Sequence, residues 1–423
     1  MNSPITDLKG YARDLAARAR AASRAMMDVP VGRKDFALGK MAELLRTRSG
    51  PIKDANGLDL EAGRREGLGP AMLDRLNLTD ARIEAMAVSI DQVARQTDPV
   101  GQIIEGSVRP NGLQIEKVRV PIGVIAIIFE SRPNVTADAA SLCLRSSNAC
   151  ILRGGKEAIH TNLAIAQTLR EAIGSAGLPI DAVQLVESTD RALVPELLKL
   201  NDQIDLVIPR GGESLIRAVV AESTIPVIKH YTGNCHVYVD KDCSLEMAEK
   251  IVLNAKCQRP GVCNAAETVL FHRQIADRYL PAICEKLAQR GVEIRGCPET
   301  KKLFARAAEA SEEDWGKEYL DLILAVKVVA DVREAVVHIN TYGSHHTDAI
   351  ITDHLPTADL FVRQVDSASV MVNTTTRFSD GYEYGLGAEV GISTDKLHAR
   401  GPMGAADLTT YKYIVRGYGQ IRE

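Results

Sequence analysis

The stretch VPIGVIAIIFESRPNVTADAASLCLRSSNACILRGGKEA, residues 120–158, decides the fold. An apolar strand, Val124–Glu130, runs into the polar segment Glu130-Ser131-Arg132-Pro133-Asn134, which opens a helix over Thr136–Ser146. A second apolar strand, Ala149–Arg153, then ends in Arg153-Gly154-Gly155-Lys156. Further on, the same alternation predicts strands at Val183–Val186, Asp205–Pro209 and Pro226–His230, separated by helices at Glu157–Ser175, Arg191–Leu200 and Glu213–Glu222. Repeated strand–helix–strand units imply a mostly parallel, doubly wound α/β sheet, and such sheets bind ligands beyond the carboxyl ends of their strands. Glu130–Asn134, Arg153–Lys156 and Pro209–Gly212 are therefore the loops to follow.

A second α/β series starts near Cys235. Its strands are His236–Val239, Thr268–Phe271, Leu322–Val329, Ala349–Thr352 and Ser369–Val372, with helices at Leu245–Lys256, Gln274–Gln289 and Val332–Ile339. Upstream of residue 100 the chain reads as helical. Leu8, Tyr11, Leu15, Ala19, Ala22 and Met26 recur at three- and four-residue spacing behind a cap at Thr6, and a helix after Thr79 carries Ile83, Met86, Ala87 and Ile90. Between these regions, Gln102–Val108 and Leu113–Val120 flank the turn Arg109-Pro110-Asn111-Gly112, a hairpin signal.

Composition narrows the function classes. The 423 residues leave room for two or three domains of roughly 150 residues each. Against 55 acidic residues there are 51 basic ones, for a net charge of −4, which argues against a dedicated nucleic-acid binder. The longest apolar stretch, Val120–Phe129, contains Pro121 and Gly123 and falls far short of the roughly 20 residues a membrane helix needs. The N-terminus lacks a signal-peptide pattern, and the eight cysteines are scattered without CxxC, so a cytoplasmic protein with free thiols is expected. No GxGxxG follows a strand, and GxxxxGK[ST] and GxSxG are absent, which counts against an ordinary Rossmann dehydrogenase, a P-loop enzyme and an α/β-hydrolase. The adjacent His345 and His346 would point to opposite sides of a strand and make a poor chelate, so no metal site is expected.

Three constellations remain. Cys263 lies in a polar Gly/Pro-containing turn, Gln258-Arg259-Pro260-Gly261-Val262-Cys263-Asn264, between a helix and a strand. Its residue type allows either an inert packed thiol or a nucleophile activated by Arg259 and the loop amides. Asn134 can aim an amide at an oxyanion or serve as a helix cap. The glycines of Arg153–Glu157 can let backbone approach a ligand, or form a solvated loop.

Taken together, residues 120–158, QRPGVCNAAET (258–268) and RFSDGYEYGLGAEVGIST (377–394) resemble the aldehyde dehydrogenase superfamily, and within it the branch that reduces glutamyl 5-phosphate in proline biosynthesis. The resemblance runs over nearly the whole chain. It implies NADPH-dependent reduction of L-glutamyl 5-phosphate to the 5-semialdehyde, with Cys263 as nucleophile and Asn134 with the Cys263 N–H as oxyanion donors. It further implies that Arg153 binds the cofactor ribose, that Lys156 favours the NADP 2′-phosphate, that Gly211 and Gly212 meet the pyrophosphate, and that Glu318 holds the nicotinamide ribose. Arg132, Arg377 and Glu389 are its candidates for the charged end of the substrate. A cofactor-binding domain is implied over 1–101 and 119–232 with part of 384–400, a catalytic domain over 233–383, and an oligomerisation element from 102–118 and 401–423. A homo-oligomer follows, with a separate glutamate 5-kinase as functional partner, since 423 residues leave no room for a fused kinase. Hydrolytic relatives carry a water-activating glutamate where this sequence has Lys229-His230-Tyr231-Thr232-Gly233-Asn234, placing His230 or Tyr231 there instead of a carboxylate. Another acylating or hydrolytic aldehyde dehydrogenase, or a non-catalytic cofactor-binding relative, is the competing reading.

Overall fold

The computed structural model describes residues 6–422. The chain forms two compact units. The first comprises the chain up to Lys229, Gly385–Gly391 and the chain from Met403; the second comprises His230–Tyr384 and Ile392–Pro402. The change of unit after Lys229 falls three residues before the expected boundary.

In the first unit a four-stranded parallel sheet has the order Val183–Leu185, Ala149–Arg153, Val124–Phe129, Leu206–Arg210. All six residues of Val124–Phe129 are buried, as a central strand covered by helices on both faces requires. Each such aliphatic side chain contributes roughly 1.5–3 kcal/mol on burial. The chain winds outward from Val124–Phe129 in one direction and then returns to place Leu206–Arg210 on its other side, so the topological switch point lies between those two strand ends. The fifth strand expected here, Pro226–His230, does not form. Only a parallel bridge joins Val227 to Val207, with Val207 N–H donating to Pro226 O at 2.9 Å and Ile228 N–H to Val207 O at 3.1 Å. Pro226 has no N–H for a ladder, and the segment leaves the sheet edge after this one exchange.

The N-terminal helix Leu8–Met26 buries Leu15, Ala19, Ala22 and Met26 as the spacing predicts. Its cap is Asp7, not Thr6: the Asp7 carboxylate accepts from Gly10 N–H at 2.8 Å. Helix Asp80–Arg95 is capped by Thr79 and buries Ile83, Met86, Ala87 and Ile90. The hairpin forms as expected, Ile103–Val108 against Gln114–Pro121, and the terminal strand Thr409–Arg416 adds to its second strand, giving a three-stranded antiparallel sheet.

In the second unit seven parallel strands follow the order Ala308–Glu309, Glu293–Gly296, Ile323–Val329, Ala266–His272, Cys235–Val239, Thr347–Ile351, Ser369–Val372. The short strands Ala308–Glu309 and Glu293–Gly296 and the helices Pro298–Leu303 and Leu355–Gln364 were not anticipated. Helices Leu245–Cys257 and Arg273–Gln289 pack an apolar core against the sheet, including Val252, Leu280, Ile283 and Phe271. No helix among the described residues is long and apolar enough to cross a membrane.

Candidate active site

Cys263 sits in the turn joining helix Leu245–Cys257 to strand Ala266–His272, half-buried and unbridged; all eight cysteines are free. Both ends of this turn are fixed from within. Lys256, in the last turn of the helix, and Glu267, second in the strand, form an ion pair at 2.5 Å with both side chains fully buried. The second Glu267 oxygen accepts from Leu320 N–H at 3.1 Å. Burial pushes the Glu267 carboxyl up to about 7 and the Lys256 ammonium down, each opposed by the charge of the other. Inside the turn, Ala265 N–H donates to Val262 O at 3.0 Å, and the buried Asn264 amide donates to Ser379 O at 2.9 Å.

The turn is also pressed from one side. A Cβ on Gly233 would lie 1.9 Å from the Cys263 carbonyl oxygen and 2.5 Å from its Cα, so only glycine permits this approach. Gly233 N–H donates to Glu318 Oε1 at 2.8 Å, and Asn234 Nδ2 donates to Trp315 O and Tyr342 O at 2.8 and 2.9 Å. Glu318 thus holds the segment that backs the cysteine, in addition to the ribose role the resemblance implies. The Cys235 thiol donates to Cys263 O at 3.2 Å, and burial holds it well above the ordinary thiol value, which keeps it a neutral donor.

Positive charge and imidazoles gather beside the sulfur. Half-buried Arg377 donates from Nε to Gln258 Oε1 at 2.8 Å; burial, then the Arg259 charge, lowers its pKa, and Cys263 is among its electrostatic neighbours. Arg259 and Arg377, proposed from sequence for different tasks, therefore share the surroundings of Cys263. His230 and His346 do too, with a nitrogen of each and the Cys263 sulfur all within 4.8 Å of one another. His230 Nδ1 lies 2.9 Å from Ile392 O and, since a carbonyl only accepts, must donate to it. The expectation that strand alternation separates His345 from His346 fails in its premise. The strand begins at Thr347; His345 adopts a left-handed φ of 60° and turns to Asp366 O at 2.6 Å, while fully buried His346 reaches the cysteine.

In the first unit, the loops at the switch point are held by one another. Glu130 Oε2 accepts from Gly212 N–H at 3.0 Å, and Glu157 accepts from Ser131 N–H and Oγ, both at 2.7 Å, fixing Ser131 in a left-handed φ of 45°. Most glycines of this region are packed against the protein's own side chains. A Cβ on Gly154 would meet Asn162 and Phe129, one on Gly155 would meet Glu157, and one on Gly211 would meet Glu130 and Leu215; only Gly212 faces open space. Lys156 is exposed and paired with Glu66 at 2.7 Å. Arg153 bonds only through backbone carbonyls, Gly154 O at 3.0 Å and Thr189 O at 3.4 Å, and its buried Nε has no partner among the described residues. Arg132 is exposed on the loop after strand Val124–Phe129.

Asn134 opens helix Asn134–Arg145 and donates from Nδ2 to Asp138 at 2.8 Å. Asp138 also accepts from Ser89, and burial pushes its carboxyl up to about 6. Glu389 stands 3.6 Å from Arg210 and near Asp138. It thus belongs to the first unit with Asn134, whereas Arg377, with which it was grouped as a substrate ligand, belongs to the second.

A family model described as "Aldehyde dehydrogenase family" matches residues 9–301, more than half of the chain. The chain belongs to that family. Within it, the chain is 54% identical over 408 residues to a gamma-glutamyl phosphate reductase from Caldanaerobacter subterraneus subsp. tengcongensis, covering 96% of this chain and 99% of the relative. A gamma-glutamyl phosphate reductase from Moorella thermoacetica is 52% identical over 406 residues, covering 96% and 97%. The crystal structure of gamma-glutamyl phosphate reductase from Thermotoga maritima superposes with a TM-score of 0.95 at 45% identity, covering 97% of this chain and all of that one. As an aldehyde dehydrogenase family member, the chain is an oxidoreductase, and the family uses nicotinamide cofactors.

Proposed function

We propose that this chain reduces L-glutamyl 5-phosphate to L-glutamate 5-semialdehyde and phosphate with NADPH, through a thioacyl intermediate on Cys263, as a step of L-proline biosynthesis. The single observation that carries the catalytic assignment is the surrounding of Cys263: a half-buried thiol in a clamped turn, flanked by two guanidiniums and two imidazoles. Near-full-length identity of 52–54% to gamma-glutamyl phosphate reductases supports the substrate. The cysteine thiolate attacks the acyl carbon, the bond to the phosphate oxygen breaks, and phosphate leaves with its electron pair. NADPH, when bound, supplies the hydride that converts the thioester to a thiohemiacetal. Collapse of that group releases the aldehyde and returns the thiolate. Negative charge develops on one oxygen in both steps. The family resemblance assigns Asn134 Nδ2 and Cys263 N–H as the donors to that oxygen, and Asn134 has a second amide hydrogen beyond the one given to Asp138. Arg259 and Arg377 stabilise the thiolate and receive the substrate's carboxylate.

Arg153 fits a cofactor, because its buried Nε lacks a partner at a strand end beside the switch point. Lys156 would meet a 2′-phosphate on giving up Glu66, Gly212 and Gly211 would border the pyrophosphate, and Glu318 the nicotinamide ribose. The reading places the protein in the cytoplasm with its thiols reduced, and takes the acyl phosphate from a glutamate 5-kinase on another chain. A homo-oligomer is supported by the antiparallel sheet, whose edge strand Ile103–Val108 is wholly exposed and whose other edge exposes Tyr411, Tyr413 and Val415.

The test is semialdehyde oxidation with NADP⁺ and phosphate. Cys263→Ala is expected to abolish NADPH formation, and Asn134→Ala to lower it by about 10²–10³. Turnover that persists without phosphate would assign a hydrolytic enzyme instead.

A further inference from the structure

We infer that Cys263, His230 and His346 form a capture site for a zinc-class divalent ion, and that the ion and the acyl group compete for the same sulfur. The ion is an inhibitor in this inference, not a cofactor. The cluster itself stands on geometry alone; the competition rests on the assignment of Cys263 as the nucleophile.

One thiol and two imidazoles are the donor set that zinc prefers over calcium or magnesium. Tetrahedral zinc holds N and S at about 2.0–2.3 Å, which puts its ligand atoms roughly 3.3–3.8 Å apart. Here the three donor atoms already lie within 4.8 Å of one another, so a side-chain rotation of about an ångström closes the site. A second observation points the same way. A zinc-bound imidazole typically gives its other N–H to a carbonyl, which fixes the ring and its tautomer. His230 makes that bond, Nδ1 to Ile392 O at 2.9 Å, so its Nε2 carries the lone pair. His346 is fully buried, and its ring meets that of His230 edge-on at 5.4 Å, so it is held in place rather than sampling solvent. Cys235 lies 3.8 Å from His346 Nδ1, but its proton is given to Cys263 O, so it serves as a neighbour and not as a fourth ligand. Three protein ligands leave a coordination position for water, as in an open zinc site. Binding replaces the Cys263 S–H bond with an S–Zn bond and releases one proton to solvent, with no change of oxidation state.

The experiment adds zinc chloride to the full-length protein and follows alkylation of Cys263 by iodoacetamide, mapped by peptide mass. Zinc is expected to protect Cys263 reversibly, with EDTA restoring the rate, while Cys243 and Cys257 continue to react. His230→Ala and His346→Asn should each raise the half-protective zinc concentration about tenfold or more. Because His346 is buried and its variant can misfold, cobalt chloride with the unmodified protein gives a second readout: a near-ultraviolet thiolate-to-cobalt absorption at one ion per chain, absent in Cys263→Ala. Unchanged alkylation under zinc, or protection that His230→Ala leaves intact together with no cobalt band, overturns the site. Loss of activity in Cys263→Ala without metal binding sinks this inference alone. Metal binding that leaves turnover intact sinks the competition and the nucleophile assignment together.

Discussion

The two strand-end regions handle their polar groups in opposite ways. At the switch point of the first unit, Glu130, Ser131, Glu157 and Gly212 satisfy one another, and three of four glycines make room for the protein's own side chains. Around Cys263, a buried ion pair holds the ends of the turn, while the sulfur lies within 4.8 Å of two imidazole nitrogens and within electrostatic range of Arg377. A cofactor loop needs a fixed shape that can be entered repeatedly, so closing it on itself costs little function. A covalent catalyst, as proposed for Cys263, needs groups held in place but left chemically available, and that demands a separate supporting layer.

That contrast is tested most severely by the Lys256–Glu267 clamp. Glu267→Gln leaves the Lys256 ammonium buried without its counter-charge and should destabilise the second unit by about 3–5 kcal/mol. Pairing it with Lys256→Met should recover most of that loss, since an apolar side chain can replace the buried pair at little cost. Thermal unfolding of the single and double variants is the measurement; a single variant as stable as the parent would break the distinction between support and chemistry.

Next in size is Gly233→Ala. The added Cβ must displace Cys263 backbone it would otherwise overlap, by more than an ångström, and misplacement on that scale costs about 10² in rate. The larger effect belongs in kcat, because the overlapped atoms are those of Cys263; a smaller loss of cofactor affinity follows from the Gly233 N–H bond to Glu318. Equal losses in both would show that the turn is not independently positioned. Lys156→Ala sharpens the other side: an exposed cation that must leave Glu66 to meet a phosphate should change the NADPH-to-NADH preference by only about tenfold. A much larger change would mean that the cofactor loop is less self-contained than its hydrogen bonds indicate.

Much of this was legible in the sequence because it depends on local pattern. Apolar runs between polar turns located both parallel sheets, and Cys263 stood out because its polar Gly/Pro turn differs from the apolar flanks of Cys143 and Cys150. What escaped was set by contacts distant in the chain. Gly233 reads as one more loop glycine until Cys263, thirty residues on, is brought against its α-carbon. His346 was discounted on strand alternation, yet the strand starts one residue later. Gly154 and Gly155 carry a further distant contact: the atoms that approach them belong to Asn162, Phe129 and Glu157, which the local sequence does not reveal. Pro226–His230 has strand composition, but Pro226 offers no donor and one exchange with Val207 is all the edge supplies.

The smallest expected effect concerns Asp138, a carboxyl of the first unit that burial holds against its preferred state. Burial pushes Asp138 from 3.8 up to about 6, while Asn134 and Ser89 donate to it and so favour its charged form. Between those two values the folded chain binds a proton that the unfolded chain has released, so the Asp138 contribution to stability falls as pH rises from about 4 to 6 and stays low above that. The full linkage would approach 3 kcal/mol, and partial solvent access at this position reduces it to about 1 kcal/mol. Asp138→Asn keeps an oxygen to accept from Asn134 Nδ2 but cannot ionise. The variant should therefore lose least, relative to the parent, at pH 7.5 and most at pH 5, with the other carboxylates cancelling in the difference. A parent-minus-variant stability that is flat with pH would mean that Asp138 is ionised throughout. Asn134 would then be anchored by a full charge, and the first unit would hold its amide donor as tightly as the second holds its cysteine.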